Sequence, residues 1–316
     1  MIQKSTMTIK NKCPICNQDQ VYYPLASMTD QWVAIKCQNC QVTSAYPLPS
    51  EGQLIDYYKK YVTTKQSYDR DSVLVDLHQP ILKWLVEKFN SQKKISFLDF
   101  GFGVGAFLKQ VTRNNFPAYG VEFSSQNCQQ LEEYCLENNV EIPMVKLPEE
   151  SLTKFFGQKF DCITLFQVIE HLLDPLAVIS SLAEYQDSGG LIYIECPNND
   201  ALFLKVKNLI RYQVNREGFF DSLNPPQHIY GFNKKSLKIL LENSGYVPVE
   251  INDYYFADQV HQVETMFWYP SLSDIVQNKK MQNFYSISKF LIGAFDPLAS
   301  RLMGAGGGLY ALARKQ

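Results

Sequence analysis

Long hydrophobic runs are missing from this 316-residue chain: apolar stretches such as Phe290–Phe295 stop far short of the roughly 18 residues a membrane span needs. Met1–Lys12 has no hydrophobic signal core, so the sequence predicts a cytoplasmic protein. Charge of one sign is also missing. Thirty basic residues against 32 acidic ones leave a net charge of -2 and a pI near 6.1, which gives no global field to attract nucleic acid. There is no internal repeat and no low-complexity tract. With 46% of residues hydrophobic and 20% charged, disorder, collagen and coiled coil are excluded, and a folded chain of about two domains' length is expected.

What the sequence does have is eight cysteines, unevenly placed. Cys13 and Cys16 form one Cys-x-x-Cys pair, Cys37 and Cys40 a second, and 20 residues lie between them. This is zinc-ribbon spacing. Each pair sets two thiolates on one tight turn, and a short hairpin that brings the turns together completes a tetrahedral sulfur shell suited to Zn²⁺. Sulfur fills all four positions and leaves none for water, so the spacing predicts a structural metal. Cys128 and Cys135 on a predicted helix, and Cys162 and Cys196 inside apolar strands, read as small core residues.

Three regions follow from the texture of the chain: a ribbon-like module over 1–46, a helical linker or lid over 47–93, and an α/β domain over 94–316 with an aromatic insertion at about 254–303. The linker opens at Tyr46–Pro47–Leu48–Pro49 and carries Tyr57, Tyr58, Tyr61 and Tyr68. Leu74, Leu77, Ile81, Leu85 and Phe89 then recur at helical spacing despite Pro80. From Lys94, short apolar runs alternate with helical patterns. The runs are Ile95–Phe100, Tyr119–Phe123, Ile142–Lys146, Asp161–Val168, Leu191–Cys196, Val247–Asp253 and Gly308–Arg314. Helices are predicted from Gly105, over Ser125–Asn138, from Asp174–Pro175, and over Asn233–Ser244 with Gly245 as the stop. Such alternation means a doubly wound, Rossmann-like α/β sheet with ligand at the carboxyl ends of the strands.

The first of these strands ends in Asp99–Phe100–Gly101–Phe102–Gly103–Val104–Gly105. Glycines here let the backbone approach a ligand and leave helix N–H groups facing its anionic end. Gly101-x-Gly103-x-x-Ala106, with Glu122 21 residues on from Gly101, also satisfies a dinucleotide fingerprint and would suit an NAD(P)-dependent oxidoreductase. The competing reading starts at Asp99, whose carboxyl suits a ligand carrying an ammonium group.

Asp99–Gly105, Tyr119–Gly120–Val121–Glu122, Phe166–Pro175 with its Glu170–His171 pair, and Pro226–Gln227–His228–Ile229–Tyr230–Gly231–Phe232 stand in order along the chain. Together they resemble the class I S-adenosylmethionine-dependent methyltransferases, especially the bacterial group related to ubiquinone-biosynthesis methyltransferases. The resemblance implies a seven-stranded sheet with its last strand antiparallel. It also implies S-adenosylmethionine over Asp99, Gly101, Gly103 and Gly105, Glu122 on the ribose, and Gln167 beside the methionine moiety. Where many relatives carry an aspartate near the adenine, this chain has Lys146–Leu147–Pro148–Glu149.

If the acceptor is a hydroxyl, a histidine is the usual proton acceptor near neutral pH. The chain has four. His228, in the loop after the fifth strand of the α/β domain, is the first candidate and His171 the second; His78 reads as packing and His261 falls in the insertion. The insertion's Tyr254, Tyr255, Phe256, Phe267, Trp268 and Tyr269 could roof an acceptor pocket, although core packing is the commoner role for such side chains. Lys205, Lys207, Arg211 and Arg216 would suit a phosphate-bearing acceptor such as a nucleotide sugar, but more often form a solvated face. The sequence thus points to a small-molecule methyltransferase, acting on a sugar or secondary-metabolite hydroxyl. A zinc-ribbon RNA methyltransferase is the alternative, and the acidic balance argues against it.

Overall fold

The structure is a computed structural model, and it describes residues 7–27, 31–60, 71–89, 94–155, 157–202, 204–205, 222–254 and 302–316. The expected insertion after Tyr254, with His261, Phe267, Trp268 and Phe290–Leu298, lies outside the described residues, as do Tyr61, Tyr68, Lys207, Arg211 and Arg216.

Strands β5 (Phe97–Phe100), β6 (Ala118–Glu122), β7 (Met144–Lys146), β8 (Cys162–Phe166), β9 (Leu191–Pro197), β11 (Tyr246–Tyr254) and β12 (Gly308–Lys315) form one sheet in the order β7-β6-β5-β8-β9-β12-β11. Strand β12 runs antiparallel to both β9 and β11, while the pairs among β5 to β9 are parallel. The expected seven-stranded architecture with its antiparallel last strand is therefore what the chain forms. All four residues of β5 and the first six of β9 are buried, as continuous apolar runs in a sheet covered on both faces must be.

Local chemistry sets the helix starts. In α3 (Ala106–Arg113), Gly105 at φ 75° provides the turn into the first residue. Ser124 caps α4 (Ser125–Asn138) and Asp174 caps α5 (Pro175–Ala183), each side chain accepting from the backbone N–H three residues on, with Pro175 at the first helical position. Asn233 and Ser236 form a reciprocal capping box on α6 (Lys234–Asn243), and Gly245 follows at φ 82°. The amphipathic helix α2 (Asp71–Glu87) continues through Pro80, with Leu82 and Leu85 buried. Strand β8 ends at Phe166, short of the expected Val168, because Gln167 takes φ 56° and leaves the extended region.

The N-terminal strands β1 (Met7–Lys12), β2 (Asp19–Ser27), β3 (Val33–Cys37) and β4 (Thr43–Tyr46) form a second, antiparallel sheet. Its fifth strand, β10 (Tyr230–Gly231), comes from far along the chain and pairs with β4. Asn199 donates to Thr43 Oγ1 at 2.9 Å and Asn233 to the Gln41 carbonyl at 3.1 Å. Ile15, Ile35 and Val42 belong to the same buried cluster as Leu98, Ile194 and Leu237. Thus the ribbon-like module and the α/β domain share a core and a sheet, and α1 (Glu51–Lys60) adds a tie through Tyr57, which donates to Gln227 Oε1 at 2.5 Å. No helix among the described residues is long and apolar enough to cross a membrane.

Candidate functional site

The four paired cysteines converge. Cys13–Cys16 and Cys37–Cys40 lie on turns of the same construction: Asn17 N–H donates to the Cys13 carbonyl and Gln41 N–H to the Cys37 carbonyl, and both closing residues have positive φ. Cys13 Sγ is 3.8 Å from Cys40 Sγ, and Cys16 Sγ is 3.8 Å from Cys37 Sγ; all four residues are buried. These separations are far beyond a disulfide bond, which is about 2.05 Å. They match the edge of a tetrahedron with Zn–S bonds of about 2.3 Å, which is about 3.8 Å. The donor set and its dimensions fit a closed zinc site. Cys128, Cys162 and Cys196 are buried free thiols, and Cys135 is half-buried.

At the carboxyl end of β5, Gly101, Gly103 and Gly105 all take positive φ. Their surroundings differ. A Cβ on Gly101 would lie 2.6 Å from a Val168 methyl, and one on Gly105 2.7 Å from a Leu131 methyl, so both glycines are needed for packing inside the protein. A Cβ on Gly103 would meet nothing within 4 Å, so this glycine faces open space of the kind a ligand would fill. Glu122 closes the loop from the neighbouring strand, accepting from Gly103 N–H at 2.7 Å, Phe123 N–H at 2.7 Å and Ser124 N–H at 2.8 Å. Burial raises its pKa against the opposing pull of these bonds. Asp99 is buried beneath the loop and accepts from Thr164 Oγ1 at 2.7 Å; burial pushes its carboxyl up to about 7. Lys146, on the strand beside Glu122, pairs with Glu132 at 2.6 Å.

A third group lies at the carboxyl end of β8, where Gln167 follows the strand and meets residues of β9 and β11. Gln167 N–H donates to the Glu195 carbonyl at 2.9 Å, and its side-chain amide lies 3.5 Å from Tyr254 Oη. Tyr254 donates to Glu195 Oε2 at 3.1 Å and Tyr193 donates to Glu195 Oε1. Buried Glu195 thus holds two tyrosines next to Gln167, and burial raises its pKa. Gly308, opposite Tyr254 in the register, leaves room for that ring: a Cβ there would come within 2.3 Å of it.

The structure also brings His171 and His228 together. Their ring centroids are 4.5 Å apart, with Nδ1 of His171 2.9 Å from the Gln227 carbonyl and Nδ1 of His228 3.3 Å from the Ser222 carbonyl. Burial moves His171 down to about 4 and lowers His228 well below its ordinary value, so both are neutral imidazoles near pH 7. The buried Glu170 carboxyl lies beside both rings, with Oε1 3.8 Å from His171 Nε2 and 4.0 Å from His228 Nε2, and burial pushes it up to about 8. His78 packs edge-on against Phe166, in line with its packing reading.

Sequence reasoning did not single out Glu195 and Tyr193, and treated Glu170 only as part of a motif. The signal for Glu195 was a lone acidic residue inside the otherwise apolar run Leu191–Cys196. An ionisable group there must be paired or functional.

Comparison with known proteins assigns residues 68–251 to the family described as "Methyltransferase domain". Among curated relatives, the ubiquinone biosynthesis O-methyltransferase of Methylococcus capsulatus (strain Bath) is 23% identical over 133 residues, covering 42% of this chain and 56% of the relative. That of Pseudomonas fluorescens is 25% identical over 137 residues, covering 42% and 58%. The chain thus matches a little over half the length of these relatives. The magnesium protoporphyrin IX methyltransferase of Synechocystis PCC 6803, solved with bound S-adenosylhomocysteine, aligns over 83% of this chain and 93% of that one, with 14% identity and a TM-score of 0.48.

Proposed function

From the premise that the chain belongs to the methyltransferase-domain family, we propose that it is a class I S-adenosylmethionine-dependent methyltransferase that methylates a hydroxyl of a small molecule, a sugar or another secondary metabolite. The observation that carries this reading is the placement of the His171–His228 pair in the chain segments that follow β8 and β9, with His171 four residues after Gln167. The curated relatives are named O-methyltransferases, which supports a hydroxyl acceptor.

S-adenosylmethionine, when bound, supplies a sulfonium methyl group for in-line displacement. This chain's residues supply position, which alone can account for much of the acceleration. In the proposed arrangement the open face at Gly103 receives the nucleoside, with Gly101 and Gly105 fixing the loop's path. Glu122 accepts from the ribose hydroxyls with the lone pairs its backbone partners leave unused. Asp99 faces the ammonium group, and Gln167 lies along the methionine moiety. Tyr254, held by Glu195, walls the acceptor side. His228 takes the hydroxyl proton, with His171 as the second candidate. Cys13, Cys16, Cys37 and Cys40 would hold a structural Zn²⁺, outside the reaction.

The proton role is tested by His228→Asn. Turnover of an identified acceptor is expected to fall by about 10²–10⁴-fold, the usual contribution of a general base, with melting temperature and cofactor affinity retained. Near-normal turnover would exclude His228.

Cofactor affinity is also expected to depend on pH through Asp99. Its carboxyl titrates at about 7 in the ligand-free protein, and an ammonium group favours its ionised form. Affinity is therefore full above pH 7 and declines as pH falls below it, by up to about tenfold per unit, until the lowered pKa of the complex is reached. Calorimetric titration between pH 5.5 and 8.5 checks this. A flat profile in the wild type, or the same slope in Asp99→Asn, would count against the assignment.

A further inference from the structure

The ribbon-like module and the α/β domain border a cleft of about 330 Å³, at the lower end of the range for small-molecule sites. One wall is Lys36, the residue before Cys37 in β3, with Gln41 from the second cysteine turn. The other is Lys234–Lys235 at the start of α6, with Asn198 past the end of β9. No apolar side chain lines the cleft among the described residues, whereas pockets for apolar molecules are lined mainly by hydrophobic and aromatic groups. The space suits a charged ligand group.

The charge facing this space is positive. Lys234 Nζ is held by Asp253 Oδ1 at 2.7 Å, and Asp200 Oδ1 lies 3.6 Å from Lys205 Nζ, so each of these carboxylates already has a cation. Lys36 and Lys235 have no ion-pair partner among the described residues. Helix chemistry does not account for Lys234–Lys235 either: the helix dipole favours acidic residues in the first turn, and α6 has none there. Breaks of local preference of this kind are expected at functional sites. The frame around the lysines is fixed. Asn198 donates to the Gly306 carbonyl at 2.7 Å, Gly306 N–H donates to Asp253 Oδ2 at 2.9 Å, and Asn233 ties α6 to the ribbon through the Gln41 carbonyl. A Cβ on Gly304 would come within 3.3 Å of Lys234 Nζ, so a side chain there would crowd the ammonium group.

The cleft opens at the carboxyl edge of the sheet. Strands β9 and β11 both run antiparallel to β12 and so in the same sense; Asn198 follows the first, and Asp253 stands next to Tyr254 in the second. We propose that the cleft is the anion subsite for the acceptor, in which Lys36, Lys234 and Lys235 hold the phosphates of a diphosphate ester whose remaining part extends toward Tyr254. A diphosphate joined at both ends carries two negative charges, matching the two lysines that have no carboxylate partner. Lysine serves such a group as a point charge and needs none of the planar geometry of a guanidinium contact. The inference rests on the methyltransferase reading and names the class of its acceptor. It also gives the ribbon a part in binding, because β3 carries Lys36 to the cleft.

The test is calorimetric titration of the full-length chain with pyrophosphate, inorganic phosphate and S-adenosylmethionine, in the wild type, Lys36→Ala, Lys36→Arg and Lys235→Glu. The wild type is expected to bind one pyrophosphate, and to bind it about tenfold or more tighter than inorganic phosphate. Lys36→Ala and Lys235→Glu should each weaken pyrophosphate by about ten- to a hundredfold, the usual worth of one hydrogen bond to a charged group, and Lys36→Arg should keep most of the affinity. S-adenosylmethionine affinity is expected to stay at the wild-type value in all three. Lys235→Glu puts an acid where the helix dipole favours one, so its melting temperature should hold or rise while pyrophosphate affinity falls, which loss of a merely structural lysine would not produce. A wild type that takes up no pyrophosphate, or wild-type affinity in both Lys36→Ala and Lys235→Glu, would overturn the proposal. Equal affinity for inorganic phosphate would mark a site for free phosphate and overturn the acceptor assignment, and pyrophosphate that competes with S-adenosylmethionine would place it at the glycine loop instead. Absence of cofactor binding defeats the methyltransferase reading whatever the pyrophosphate result, whereas cofactor binding without pyrophosphate binding defeats only the anion subsite.

Discussion

Cys40→Ser is expected to abolish zinc binding at the proposed four-cysteine site and to lower the melting temperature of the whole chain. Structural zinc contributes about 10–16 kcal/mol of apparent binding energy in small peptide sites, comparable to the entire 5–15 kcal/mol that stabilises a typical domain. The loss would not stay local. Strand β4 pairs with β10, Thr43 and Gln41 accept hydrogen bonds from Asn199 and Asn233, and Ile15 and Ile35 sit in one buried cluster with Leu98 and Ile194. Disordering the knuckles therefore strips an edge from the segment that carries His228. Scanning calorimetry should show one transition for the metal-loaded protein and a lower one after chelation, with weaker binding at the acceptor side. A metal-free Cys40→Ser protein melting at the wild-type temperature would show that the cluster does not support the fold.

Glu122→Ala should have the largest effect on cofactor affinity. Three backbone N–H groups, those of Gly103, Phe123 and Ser124, lose their acceptor at once, and in the proposed arrangement the ribose hydroxyls lose theirs. A hydrogen bond to a charged group is worth about 1.5–3 kcal/mol, so the ribose contact alone accounts for a tenfold to hundredfold loss. Release of the glycine loop adds to this and lowers stability as well. Glu122→Gln separates the two effects: one oxygen remains for Phe123 and Ser124, but an amide NH₂ is set against Gly103 N–H. Its affinity is expected between those of the wild type and Glu122→Ala, with most of the melting temperature kept. Wild-type affinity in both variants would remove Glu122 from the ribose.

Much of this molecule is written locally. Cap and stop residues such as Asp174–Pro175, Asn233 and Gly245 act within one turn of chain, so the helices they bound are legible from sequence. Apolar runs buried on both faces identify β5 and β9 without reference to their partners. Positive-φ glycines mark the loop at Gly101–Gly105, but their division of labour was not legible. Whether a Cβ would strike Val168, strike Leu131 or enter open space depends on residues up to 67 positions away. The end of β8 was overestimated because Gln167 adopts a left-handed conformation that only its tertiary setting, including its bond to the Glu195 carbonyl, holds in place.

The sequence by itself determined the fold class, the cysteine pairs and the position of the glycine loop, because each depends on spacing within a few residues or on a burial pattern carried by one element. Tertiary structure alone decided three further things: that β10 closes the ribbon's sheet, that Glu195 gathers Tyr193 and Tyr254 beside Gln167, and that His171 and His228 both meet the buried carboxyl of Glu170. His171 and His228 are separated by 57 positions, and no periodicity records which loops a sheet will bring together. Their meeting follows from the parallel order of β8 and β9, which sends both connecting segments to the same edge of the sheet, where burial then sets the charge of every group.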